Sequence, residues 1–168
     1  QGSRLDAAQQ QRPVYFDLGR TGSGSLDTAE PVIEVEGDLI LQLKKDTISH
    51  LESQGPVIKK GTGTLTIRGE GSLELESADA EAISSDWNGE ELDADHPSAV
   101  RLEAGNLTFT GAGSGIVDET VELAGAQGTI TATSTSGAAV KTAHVKREGS
   151  NSDKLELIGA TAVAVPES

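Results

Sequence analysis

The chain contains no cysteine, which excludes disulfides, thiol nucleophiles and cysteine-based zinc sites. Aromatic residues make up 2% of its 168 positions, and Trp87, Tyr15, Phe16 and Phe109 are the only large rings. That is too few for the stacking platforms on which single-stranded nucleic acids rest. Positive charge is scarce as well: 13 Lys and Arg stand against 27 Asp and Glu, a net charge of -14. Such a surface repels polyanions and anionic membranes, so nucleic acid is not an expected partner. No apolar run approaches the roughly 20 residues of a spanning helix, and no membrane insertion is expected. No apolar leader opens the chain either, and Gln1-Gly2-Ser3 reads as the remnant of a cleavable tag.

What the chain does have is alternation punctuated by glycine. The stretch GTGTLTIRGEGSLELES, residues 61–77, places Leu65, Ile67, Leu73 and Leu75 at period two, the mark of half-buried strands. Related segments recur at 37–43, 105–110 and 128–133, and more loosely at 153–157. A second strand precedes each, at 31–36, 56–59, 98–103, 120–123 and 138–141. A third, weaker one follows at 47–48, 72–76, 115–117 and 161–165. Three short strands in fixed order, returning roughly every 20 to 28 residues, are the signature of a stacked solenoid. An antiparallel sandwich also has period-two strands, but it does not require this fixed order.

The expected fold is all-β: a single parallel β-helix of about five three-strand coils. Residues 1–12 are read as tag remnant and N-terminal cap, with a short helix at 4–11. Residues 13–168 form the β-helix domain, interrupted by a loop insertion at 84–97. Stacking the segments as read puts Ile33, Ile58, Val100, Val121 and Val140 in one inner column. Leu39, Leu65, Leu107, Ile130 and Leu155 form another. Outside lie a mixed-charge ladder of Glu34, Lys59, Arg101, Glu122 and Lys141 and a row containing Thr66, Thr108 and Thr131.

Residues 31–83, PVIEVEGDLILQLKKDTISHLESQGPVIKKGTGTLTIRGEGSLELESADAEAI, combine L-x-L strands with a G-x-L-x-I-x-G-x-G-x-L segment and an A-x-I turn. This run resembles the repeats of bacterial cell-surface carbohydrate-binding-domain-containing proteins, and 98–139 resembles them more loosely. The resemblance implies a right-handed parallel β-helix of the pectin-lyase type, displayed outside a bacterium, Gram-positive by preference. Its partners would be a polysaccharide or a host or bacterial surface glycan. The motif is a fold signature, and residues 84–97 depart from it.

That insertion, SSDWNGEELDADHP, holds the only tryptophan and a concentration of acids. Solenoid insertions become lateral loops, which often carry ligands. The Trp87 ring offers an apolar face for a sugar, and Asp86, Asn88, Glu90, Asp93 and Asp95 can accept its hydroxyl hydrogens. Set against this, Trp87 covers the flank of the coil and the acids are solvated loop charge. Asp86, Asn88, Asp93 and Asp95 are also weak candidates for calcium, although their spacing is not that of an EF-hand. No other cofactor is expected.

Polysaccharide lyase or hydrolase chemistry needs two facing carboxyls, or a base with cationic help. The acids read as outward, Glu74, Glu76 and Asp118, form no such repeated constellation. His50, His96 and His144 fall on different coils and read as surface residues. The favoured expectation is a non-catalytic, extracellular, monomeric module that binds carbohydrate. A structural or adhesive spacer is its alternative and an enzyme the third choice. The first two differ in whether Trp87 is presented to solvent or packed down onto the coil.

Overall fold

The computed structural model describes residues 31–87, 89, 97–124 and 129–146 in full. It describes the backbone of 3–6, 14–18, 22–25, 128, 147, 154–158 and 161–164. Among the described residues nineteen strands succeed one another. A first set holds β1 (Ser3–Asp6), β2 (Val14–Leu18) and β3 (Gly22–Ser25), and the next β4 (Ile33–Glu36), β5 (Leu39–Leu43) and β6 (Ile48–Ser53). Then come β7 (Ile58–Lys60), β8 (Gly63–Gly69) and β9 (Ser72–Ser77), followed by β10 (Glu81–Ser85), β11 (Ser98–Leu102) and β12 (Gly105–Gly111). The chain continues through β13 (Ser114–Val117), β14 (Thr120–Leu123) and β15 (Gly128–Ser134). It closes with β16 (Ala138–Lys141), β17 (His144–Arg147), β18 (Lys154–Ile158) and β19 (Thr161–Ala164).

Every third strand joins the same parallel sheet. The seven-stranded sheet A runs β1-β4-β7-β10-β13-β16-β19, and the six-stranded sheets B and C collect the second and third strand of each coil. From β4 to β16 the chain winds four full turns, close to the count the repeats suggested. The expected β-solenoid is therefore the observed fold. Where a helix was expected over 4–11, Ser3–Asp6 is a strand paired with β4, and residues 7–11 lie outside those described. Among the described residues no helix is long and apolar enough to cross a membrane.

The inner columns follow from period two. Sheet A stacks Ile33, Ile58, Ile83, Ile116 and Val140; sheet B stacks Leu39, Leu65, Val100 and Val121; sheet C stacks Leu73, Leu107 and Ile130. All are buried in one cluster, each side chain contributing roughly 1.5–3 kcal/mol. The columns expected from the sequence are corrected at two points. At the first, Ile58 is followed by Ile83 instead of Val100, and Leu65 by Val100 instead of Leu107. At the second, Val121 is followed by Val145 instead of Val140, which stacks on Ile116 in sheet A. The insertion runs from the end of β10 to the start of β11, at the corner from sheet A to sheet B, so the strands from Ser98 to Ser134 lie one sheet further on than the repeat reading placed them. Neighbour pairs within that stretch survive the shift, among them Arg101 with Glu122 and Thr108 with Thr131.

The corners use a few residue types repeatedly. Gly69, at the end of β8, has φ +100°, and a Cβ there would stand 2.1 Å from the Leu43 carbonyl oxygen of the coil beneath. Only glycine meets both conditions. At the corner from C to A, inward serines close the turn. Ser77 Oγ donates to the Gly55 carbonyl at 2.6 Å and accepts from the Ala80 amide at 2.9 Å. Ser134 repeats the device with the Gly113 carbonyl and the Gly137 amide.

At the corner from A to B the core holds a polar staple. Period two on β7 turns Lys60 inward beside Ile58, and neither Lys60 nor Asp118 has any exposed side-chain surface. Lys60 Nζ lies 2.8 Å from Asp118 Oδ2 in an ion pair and donates to Ser98 Oγ at 2.6 Å and to the Gly61 carbonyl at 3.1 Å. Ser98 Oγ in turn donates to Asp118 Oδ1 at 2.5 Å, and the Glu119 amide donates to the same oxygen at 2.8 Å. The three side chains tie together three successive coils. Burial pushes the Lys60 pKa down from its ordinary value, while Asp118 opposes that shift. Asp118, read from sequence as an outward acid, is thus fully internal.

Candidate functional site

The first two residues of the insertion, Ser84 and Ser85, still belong to β10; the chain then leaves sheet A, and Trp87 follows Asp86. Its ring is not an open platform: the residue is 3% exposed, and its amide donates to Ser85 Oγ at 3.2 Å. The indole Nε1–H is buried and has no hydrogen-bond partner among the described residues. A groove of about 530 Å³ adjoins it, lined by Trp87, Glu81, Ser84, Val117 and Lys141 among others. Val117 and Lys141 are cross-strand neighbours in sheet A, so β10, β13 and β16 all border the groove. Asp86 is exposed beside Trp87. Asn88, Glu90, Asp93 and Asp95 lie outside the described residues, and with them most of the proposed calcium set.

A second cluster occupies the outer face of sheet C. Parallel register places His50 beside Glu74 and Glu52 beside Glu76 across β6 and β9. His50 Nε2 is 2.7 Å from Glu52 Oε1 and 4.0 Å from Glu76 Oε1, and Nδ1 is 3.0 Å from Glu74 Oε1. The side chains are between 26% and 54% exposed, so the group is open to solvent. The Glu52 carboxylate, and after it Glu74, holds the His50 pKa above 6.5 against the opposing effect of partial burial.

The same two outer rows continue into Thr108 and Thr110 on β12 and Thr131 and Thr133 on β15. The face therefore changes from acidic to hydroxyl-bearing along the solenoid axis. Thr66, read as part of that row, belongs to sheet B beside Arg101. Arg101 is engaged by two carboxylates, Glu103 at 2.9 Å and Glu122 at 3.1 Å.

The sequence reading found Trp87 but left His50 as a scattered surface residue. The signal for the cluster was present. His50 and Glu52 share one face of a strand, Glu74 and Glu76 share one face of another, and the repeat spacing stacks the two strands.

The comparisons with known proteins add no relative to this geometry: no family model, no curated protein and no solved structure matches the chain.

Proposed function

We propose that this β-solenoid is a non-catalytic, extracellular spacer or adhesive module displayed on a bacterial surface, whose coil number sets its length and stiffness. The observation that carries this reading is the burial of Trp87, packed down at 3% exposure instead of presented. Two further features support it. The Lys60–Ser98–Asp118 staple braces three coils internally, and the repeats of residues 31–83 resemble those of displayed bacterial proteins. Each added coil lengthens such a rod by about 4.8 Å, the spacing of paired strands. The test is an array of plant and bacterial polysaccharides probed with the full chain. The spacer reading predicts no saturable binding to any of them.

Carbohydrate binding is the second reading, favoured by the groove beside Trp87. Glu81, Ser84 and Lys141 offer both donors and acceptors there, and the indole N–H adds a donor in the same wall. In this reading a glycan is held through its hydroxyl groups at the groove. Saturable binding on the array that is lost in the Glu81→Gln and Lys141→Ala variants would replace the first reading with the second.

A further inference from the structure

The geometry points to a divalent-metal site on the outer face of sheet C, in which His50 Nε2 and carboxylate oxygens of Glu52 and Glu76 ligate a zinc-type ion and Glu74 orients the imidazole. The three donor groups come from two adjacent strands in fixed register, and their ligand atoms all lie within 4.8 Å of one another. Zinc sits about 2.0–2.2 Å from nitrogen and oxygen ligands, so two ligand atoms at a tetrahedral angle stand roughly 3.3 Å apart. The observed separations from Nε2, 2.7 Å to Glu52 and 4.0 Å to Glu76, fall on either side of that value. Both glutamates are partly exposed, and small rotamer adjustments close the difference.

The orientation of the ring is as informative as the distances. Glu74 accepts a hydrogen bond from Nδ1, which directs Nε2 toward Glu52 and Glu76. A carboxylate holding the far nitrogen of a metal-binding histidine is the common outer arrangement of such sites, because it fixes the tautomer and makes the ligating nitrogen more basic. An unprotonated Nε2 and a carboxylate oxygen, two lone-pair acceptors, cannot face each other at 2.7 Å without a proton or a cation between them. In metal-free protein a proton stands there; a metal ion replaces it when supplied.

The donor set also selects the metal. One imidazole with two carboxylates suits zinc and the neighbouring first-row ions, whereas magnesium and calcium favour oxygen ligands throughout. Two carboxylates and a divalent ion sum to zero charge, and the site lies on a chain of net charge -14 that attracts cations. Solvent exposure leaves the fourth position open to water or to an oxygen of a bound molecule.

The experiment titrates zinc into the EDTA-stripped full chain by calorimetry. One equivalent is expected. His50→Ala and Glu76→Gln should each weaken binding at least tenfold, and Glu74→Gln by about tenfold, as outer-partner changes do. His144→Ala should leave binding unchanged, and calcium should not displace zinc. Imidazole nitrogen resonances provide a signature: zinc should replace the Nε2 proton while Nδ1 stays protonated, and Glu74→Gln should loosen that tautomer preference. Circular dichroism checks the fold of each variant, and His50→Gln substitutes if His50→Ala is unfolded. No zinc uptake, uptake unaffected at His50, or displacement by calcium would each overturn the proposal.

Discussion

Removing one half of the buried Lys60–Asp118 pair should destabilise the solenoid at least as much as removing both halves. The charges are 2.8 Å apart with no exposed surface. At an effective dielectric of about 20 their attraction is roughly 6 kcal/mol, most of it offset by the cost of taking both groups out of water. Lys60→Met strands the Asp118 carboxylate, with only Ser98 and the Glu119 amide to hold it. Asp118→Asn strands the ammonium. Each single change should cost about 3–5 kcal/mol, a large part of the roughly 5–15 kcal/mol that keeps a domain folded. The double variant should cost no more than either single one, because the asparagine amide keeps an oxygen for Ser98 and Glu119 and no charge is left unpaired. Urea denaturation reads this directly: with a slope of about 2 kcal/mol per molar, a 3 kcal/mol loss moves the midpoint by roughly 1.5 M. Two single variants each within about 0.5 kcal/mol of the parent, and additive in the double, would refute the buried staple.

Three other outcomes follow from the register and the corners. Because Thr66 pairs with Arg101 on sheet B, cysteines at 66 and 101 should oxidise to a disulfide. Cysteines at 66 and 108, which belong to different sheets, should not; mass spectrometry of the oxidised variants decides between them. Gly69→Ala should lower stability by more than the ~1 kcal/mol that glycine-to-alanine changes otherwise involve, since the new methyl meets the Leu43 carbonyl at 2.1 Å; the urea midpoint measures it. With chelator present, the His50 interactions with Glu52 and Glu74 should stabilise the fold fully below pH 6.5 and fade as pH rises through the raised folded value. His50→Gln should remove that slope from the stability–pH curve.

Much of the fold was legible because period two and glycine spacing are local signals. From residue 31 through residue 77 each strand falls in the sheet expected for it, and the Ile33–Ile58 and Leu39–Leu65 neighbours are as expected, whereas the three strands before residue 31 were not foreseen. The insertion then hid a corner. Residues 80–83 look like a turn of small residues, yet Glu81–Ser85 is a strand of sheet A, and missing it moved the strands from Ser98 to Ser134 back by one sheet, as missing His144–Arg147 did for Lys154–Ile158 and Thr161–Ala164. All three sheets share the same alternation, so the phase is set only by counting unbroken corners. Lys60 was missed for a related reason. Two consecutive lysines on a strand force one of them inward, but its partner Asp118 lies two coils away and only stacking brings them together. The His50 cluster likewise exists only across strands, whereas Trp87 stood out by composition and its burial did not.

The most direct test of the account uses Trp87 as its sole tryptophan reporter. Fluorescence of the full chain, recorded with acrylamide and then with a polysaccharide panel, should show blue-shifted emission, weak quenching and no saturable change, as a side chain 3% exposed requires. Red-shifted, readily quenched emission that changes saturably with a polysaccharide would contradict it and make the groove beside Trp87 a glycan site.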